Sequence, residues 1–103
     1  MTIALAQVNS VASAIYTSSG NTAITSLTMC NWGPNQVYAN LYVVPNGESV
    51  GTTTIALSNV LIPSGETAQL YMFAEKLLLG PNDRISANTS ANTLTAITSY
   101  TNL

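Results

Sequence analysis

The sequence predicts an all-β chain that folds as a single antiparallel β-sandwich, jelly-roll or Ig-like, of about seven to eight strands. β-branched Thr, Val and Ile are abundant, and apolar residues rarely recur at helical spacing. Alternating stretches are separated by clusters of Gly, Pro, Asn and Ser roughly every ten residues, a spacing typical of sandwiches and small barrels. With 103 residues, the chain has the size of one domain.

The first two predicted strands are each closed by a run of turn-forming residues. Val11–Thr17 is followed by Ser18–Asn21, and Ala23–Asn31 is followed by Gly33–Asn35. In the second turn, Pro fixes φ and Gly accepts a positive φ. Cys30, the only cysteine, lies in the second strand and is expected to be a small buried hydrophobe.

The third strand, Val37–Val44, has the clearest alternation in the chain. The alternation places four apolar residues on one face and three polar or aromatic residues on the other: Val37, Ala39, Leu41 and Val43 against Tyr38, Asn40 and Tyr42. Asn-Gly is a strong tight-turn signal, and Pro45–Gly47 ends the strand. Thr52–Ile62 is predicted as the fourth strand, bent near Ser58–Asn59.

The second half of the chain continues the same pattern of strands and turns. Alternation or short apolar runs predict four more strands: Thr67–Phe73, Leu77–Leu79, Arg84–Thr89 and Thr93–Thr101. The turns between them contain Pro63–Glu66, Gly80–Asp83 and Ser90–Asn92.

The N-terminal segment is expected to have a separate role within the same domain. Residues 1–20 are predicted as an N-terminal arm and first strand, and residues 21–103 as the β-sandwich. Because Thr2–Val8 alternates only partly, we expect an arm that pairs with a neighbouring subunit. Ile3 and Leu5 would then lie at an interface.

The low charge content is the most unusual feature of the composition. Only 6% of the residues are charged, against about 25% in an average soluble domain. Uncharged polar surfaces are cheaper to desolvate than charged ones, so this composition favours permanent contacts, as in a homo-oligomer, over the alternative of a soluble β domain with a hydroxyl-rich exterior. The net charge is −2 and the only cations are Lys76 and Arg84, which argues against nucleic-acid binding. No apolar run approaches the length of a membrane span, so no membrane partner is expected.

Candidate catalytic motifs are few. Gly47–Gly51 fits the G-x-S-x-G pattern of a nucleophile elbow, but that elbow needs a His base and a following helix, and the chain has no His. The four acids, Glu48, Glu66, Glu75 and Asp83, all fall in or beside predicted turns, with no cleft-forming insertion. The sequence therefore predicts no enzyme activity, no cofactor and no metal site.

Three aromatic residues are candidate interface residues. Trp32, the only Trp, follows a predicted strand and could either cap the core or act as an interface anchor or sugar-stacking platform. Tyr38 and Tyr42 are two residues apart on one strand face, where they could pack a neighbouring subunit or cover the second sheet.

Five segments carry a resemblance to a known class of proteins: TAITSLTMCN, NLYVVPNG, IPSGETAQL, AEKLLLGPNDRISA and ANTLTAITSY. In their order and spacing, the stretch from Thr22 to Tyr100 resembles small β-sandwich virion proteins and fibre modules of tailed bacteriophages, of the cyanophage and aquatic-phage type. The motifs are turns and alternating strands. The resemblance implies a sandwich fold, repeated presence on a particle and assembly in the bacterial host cytoplasm, and it supplies no catalytic residues.

Two functions follow as expectations. The first is a non-enzymatic structural protein of a tailed-phage virion, foremost a head decoration or cement protein that contacts the major capsid protein or other virion proteins. One compact domain with no fibrous repeat favours the head over the tail. The alternative is a neck, tail or fibre component that binds host glycan through Trp32 and the tyrosines.

Overall fold

The computed structural model describes residues 2–69 and 77–103, and these contain no helix. Nine strands alternate with short loops. In chain order they are β1 (Thr2–Val8), β2 (Ser13–Thr17), β3 (Thr22–Asn31), β4 (Val37–Val44), β5 (Ile55–Ile62), β6 (Thr67–Gln69), β7 (Leu77–Leu79), β8 (Arg84–Thr89) and β9 (Leu94–Asn102). The prediction of an all-β chain is confirmed.

The strands form two antiparallel sheets. The first sheet has the order β1-β9-β3-β6, and β7 also pairs with β3. β6 pairs with the C-terminal half of β3 and β7 with its N-terminal half. The second sheet has the order β2-β8-β4-β5. Successive strands therefore often lie in different sheets, and many of the loops cross from one sheet to the other.

One hydrophobic core lies between the two sheets, in a sandwich-like arrangement. The first sheet contributes Leu27 and Met29 of β3, and the second contributes Leu41 of β4 and Ile85 of β8, all of which are almost fully buried. These side chains are buried because alternate residues of a strand point to the same face. The predicted apolar face of Val37–Val44 is part of this core.

The predicted strands correspond to the observed ones, with small differences at their ends. Val37–Val44, Leu77–Leu79 and Arg84–Thr89 have the predicted bounds. The bend predicted near Ser58–Asn59 is present, because Asn59 has a left-handed φ of 55° inside β5. The C-terminal part of predicted strand Thr67–Phe73 lies outside the described residues.

The N-terminal segment differs from the prediction of a free arm. Thr2–Val8 pairs along its whole length with β9 of the same chain, from Thr2 opposite Tyr100 to Val8 opposite Leu94. Val8 is fully buried in the core. The segment is therefore a strand of its own sandwich, and it raises the number of described strands to nine, above the seven to eight predicted.

The loops gather at two opposite ends of the molecule. Hydrogen bonds join the loops 9–12, 32–36, 63–66 and 90–93 at the first end, called here the Trp32 end. Others join the loops 18–21, 45–54 and 80–83 at the second end, the Asp83 end. Across residues 2–69 and 77–103, no helix is long and apolar enough to cross a membrane.

Candidate functional site

A buried asparagine organises the Trp32 end. Asn31 is the last residue of β3 and is fully buried. Its amide nitrogen donates to the carbonyl oxygens of Asn35 at 2.8 Å and of Ile62 at 3.0 Å. Its amide oxygen accepts from the backbone N–H of Gly33 at 3.1 Å and from the hydroxyl of Thr93 at 2.9 Å. One side chain therefore ties the loop after β3 to the end of β5 and to the loop before β9.

The backbone of Trp32 and Gly33, next to Asn31, is also held by hydrogen bonds. The Trp32 N–H donates to the carbonyl oxygen of Thr93 at 3.0 Å, and the Ser64 hydroxyl donates to the carbonyl oxygen of Gly33 at 2.6 Å. A Cβ atom at Gly33 would lie only 2.6 Å from Cβ of Thr93, so only glycine allows this close approach. The chain on both sides of the indole is thus held in one conformation.

Trp32 is held in an exposed position. Its side chain is 60% exposed, so of the two alternatives for Trp32 the core cap is wrong. The physical reason is that the preceding residue, Asn31, occupies the buried position at the end of β3 and the indole is on the solvent side. A large aromatic ring left in water on a fixed backbone is available to a ligand or partner.

Tyr38 lies beside the same loop as Trp32. The backbone N–H of Tyr38 donates to the Ser90 hydroxyl at 3.1 Å, and the Tyr38 carbonyl oxygen accepts from the Ser90 N–H at 3.0 Å. Its ring is 47% exposed on the outer face of the second sheet, opposite Leu61 of β5. Loop 90–93 therefore connects Trp32, through Thr93, with Tyr38, through Ser90.

Tyr42 is less exposed than Tyr38, with which it was predicted to share a strand face. The β4–β8 register is regular from Ala39 to Val44, so Tyr42 is on the strand face that carries Tyr38 and Asn40. Its side chain is nevertheless only 9% exposed. Tyr42 is therefore buried within the subunit, unlike Tyr38.

Ile3 and Leu5 form a separate surface on the first sheet. They are 63% and 70% exposed, and Leu5 is opposite Ile97 of β9. The structure thus brings together Trp32 and Tyr38 at one end, and places Ile3 and Leu5 elsewhere, on the strand that borders the first sheet.

The Asp83 end is tied by a carboxylate. Oδ1 of Asp83 accepts from the N–H of Asn46 at 2.8 Å, and Oδ2 accepts from the N–H of Gly80 at 2.8 Å. These two bonds, the one from Asn46 foremost, lower the pKa of Asp83 below its ordinary value because they stabilise the ionised form. Arg84 adds a further hydrogen bond to loop 45–54, because its guanidinium donates to the carbonyl oxygen of Glu48 at 2.8 Å.

The G-x-S-x-G segment, the carboxylates and the cysteine do not come together in one site among the described residues. In the Gly47–Gly51 segment, the Gly51 N–H donates to the Thr54 hydroxyl, which itself contacts the Ser49 carbonyl oxygen, as in a compact loop. A shallow cleft of about 420 Å³ beside this loop has Glu48 as the one carboxylate among the residues that line it. Cys30 is half-buried, more exposed than predicted. Among the residues described, no group of three or more His, Cys, Asp or Glu is placed to hold a metal ion.

Sequence reasoning missed Asn31, the residue that shapes the Trp32 end. The local signal was an Asn two residues before Gly33-Pro34, a pattern in which an Asn side chain bonds a nearby backbone N–H. Comparisons of the chain with protein-family models, with curated proteins and with solved structures found no match.

Proposed function

We propose that this chain is a non-enzymatic jelly-roll subunit of a tailed-phage virion, foremost a head decoration or cement protein that stabilises the capsid through subunit contacts. The observation that carries the proposal is the scarcity of charged residues in the strands of the described ranges, 2–69 and 77–103. Apart from Arg84 at the start of β8, no described strand contains Asp, Glu, Lys or Arg. Interface cores are depleted in charged residues, whereas free monomers normally carry surface charge.

The strand order supports the jelly-roll form of the sandwich. If β6 and β7, which both pair with β3, are counted as one edge position, each sheet has four positions. No two consecutive strands are neighbours in the first sheet, and only β4 and β5 are neighbours in the second. An immunoglobulin sheet would place several consecutive strands side by side, whereas two nested Greek keys give the order seen here. Jelly rolls occur in viral capsid proteins and in lectin domains, so this strand order is compatible with a virion role.

The outer faces also carry exposed apolar side chains that suit neighbouring subunits. On the first sheet these are Ile3, Leu5 and Leu78, and on the second they are Tyr38, Ile55 and Leu61. A cement subunit packed between shell proteins would bury such side chains on both sides. Icosahedral symmetry would then multiply each modest contact over many copies.

The proposal is tested by counting this protein in purified virions. We expect quantitative mass spectrometry against the major capsid protein to give a ratio near one-to-one or a simple fraction of it. A replication enzyme encoded by the same phage, measured in the same particles, is the control for carry-over from the lysate. A count of about a few to a few dozen copies per particle would instead favour a neck, tail or fibre position, because those structures have low symmetry. An abundance no higher than that of the replication enzyme would refute the virion role.

A second candidate function, binding of host glycan by a neck, tail or fibre component, is favoured by the Trp32 end. Trp32 and Tyr38 are exposed there, and both flank loop 90–93. The side chains of Asn9, Asn35 and Gln36, which belong to loops at the same end, are exposed to solvent. Aromatic rings that stack on a sugar, together with amides that bond its hydroxyls, suit a neutral polysaccharide.

Trp32 fluorescence tests this second candidate directly. Because Trp32 is the only Trp, intrinsic tryptophan emission reports this site alone. If glycan binds here, neutral surface polysaccharide of the host should shift or quench the emission with saturation. The variant Tyr38→Ala should weaken the titration, whereas Leu78→Ala, on an exposed residue of β7, should leave it unchanged. An emission spectrum that does not respond to polysaccharide would rule out stacking on Trp32.

A further inference from the structure

The strands at the borders of the two sheets differ in how well they are protected against pairing with another strand. A sheet edge presents unpaired N–H and C=O groups, and proteins protect such edges with bulges, short strands or charges. β2 is five residues long and has a register shift between Ala14 and Tyr16. β5 has register shifts against β4, and Asn59 within it has a left-handed backbone. Within the described residues, β6 and β7 are three residues each.

β1 has none of these protecting features. Its seven residues keep an unbroken register with β9, which lies on one side of it only. It contains no charged residue and no Pro. Among the described residues, its backbone ladder is formed with β9 alone. The other side of β1 is therefore a regular, uncharged strand edge about 24 Å long, at about 3.4 Å per residue.

Ile3 and Leu5 lie on this same strand and point away from the core. They are the most exposed large apolar side chains of any described strand apart from Leu78 of β7. Ile97 of β9 lies beside Leu5 and is only partly buried, so the apolar surface continues inward from the edge. The unprotected edge and the exposed apolar surface thus coincide.

We propose that the free edge of β1 pairs antiparallel with β1 of a second copy of this chain, about a two-fold axis, so that the first sheet continues from one subunit into the other. Main-chain donors and acceptors at a sheet edge are satisfied by another strand. A two-fold axis pairs the edge with an identical edge, so the assembly stops at two subunits. Neither β1 nor the adjacent β9 carries a charge, so no like-charge repulsion opposes a second copy. The absence of charge also gives an acidic or basic partner strand nothing to recognise.

A two-fold axis through Leu5, the middle residue of β1, pairs the largest number of its residues. It places Leu5 opposite Leu5 of the second copy, Ile3 opposite Gln7 and Thr2 opposite Val8, so all seven residues of β1 take part. The contact is smaller than a standard interface, so the dimer is expected to be weak in solution and to gain strength where many copies are held together. This inference concerns the isolated protein and does not depend on a virion role.

Sedimentation equilibrium of the purified chain tests the pairing. Between about 10 µM and 1 mM, the range in which a weak interface associates, the wild type should shift from monomer to dimer. Leu5→Lys should raise the dissociation constant at least about tenfold, because it places two ammonium groups against each other at the axis. Leu78→Lys, which changes an equally exposed Leu on another strand of the same sheet, is the matched control and should dimerise like the wild type. Near-ultraviolet circular dichroism confirms that both variants are folded.

Disulfide trapping separates strand pairing from unspecific association. In a Cys30→Ser background, Leu5→Cys should form a disulfide-linked dimer on mild oxidation, since directly opposed residues of antiparallel strands have Cα atoms about 4.5 to 5.5 Å apart. Leu78→Cys in the same background should not. A wild type that remains monomeric at about 1 mM, or a dimer that Leu5→Lys leaves intact, would overturn the proposal. So would a dimer that Leu5→Cys fails to trap.

Discussion

Replacing Asn31 by Ala is expected to lower the free energy of unfolding by about 3 to 5 kcal/mol. The substitution removes four hydrogen bonds at a fully buried position. It leaves the Ile62 carbonyl oxygen and the Gly33 N–H without this partner, and each unsatisfied buried group costs about 1 to 3 kcal/mol. Urea denaturation followed by circular dichroism measures the change.

Asn35→Ala is the matched control for Asn31→Ala. The Asn35 side chain is exposed, and its contact with Asn31 uses its backbone oxygen, which Ala retains. We expect this control to change the unfolding free energy by no more than about 0.5 kcal/mol. Equal losses for the two variants would contradict the role of Asn31 as the hydrogen-bonding centre of the Trp32 end.

Replacing Gly33 by Ala is expected to cost about 2 to 3 kcal/mol, although only one methyl group is added. The new Cβ would lie 2.6 Å from both Cβ and Cγ2 of Thr93 and 2.8 Å from its Oγ1. Rotation about χ1 cannot move the Thr93 Cβ, so the backbone of one of the two loops must shift. The same urea titration measures the loss.

Gly20→Ala separates steric overlap from a general effect of adding a methyl group. A Cβ at Gly20 would meet no heavy atom within 4 Å, so this control is expected to be neutral or to stabilise by a few tenths of a kcal/mol. In a Thr93→Gly background, which removes all three overlapping atoms, Gly33→Ala should cost less than in the wild type. An unchanged cost in that background would show that the loss has another cause.

The sequence alone was sufficient for strands bounded by strong turn signals. Val37–Val44 has clean alternation and is followed by Pro-Asn-Gly, and its bounds agree with the prediction. Val37, Ala39 and Leu41 of the predicted apolar face are buried, whereas Val43 is only half-buried. Arg84–Thr89 is preceded by Gly-Pro-Asn-Asp and is correct for the same reason. Such signals are local, since a few adjacent residues determine the turn.

The position of β1 and the exposure of Trp32 could not be predicted in the same way, because both depend on residues distant in the sequence. Thr2–Val8 is a strand because β9 supplies its ladder. The indole is exposed because Asn31 is held by Ile62 and Thr93, which follow it by about thirty and sixty residues. Burial of Tyr42 likewise depends on tertiary contacts, since the alternation places it on the same face as the exposed Tyr38.

The pairing of the first strand with the last has a consequence for how the chain folds as it is synthesised. β9 lies between β1 and β3, so neither of those strands can pair with β9 until Leu94–Asn102 has left the ribosome. The nascent chain therefore carries β1 unpaired while residues 9–93 are being added. Domains dominated by such non-local pairings fold in about milliseconds to seconds, more slowly than helical proteins of similar size. The first sheet is thus completed only after β9 has been synthesised, and its completion brings β1 and β9, which are about ninety residues apart in the chain, side by side.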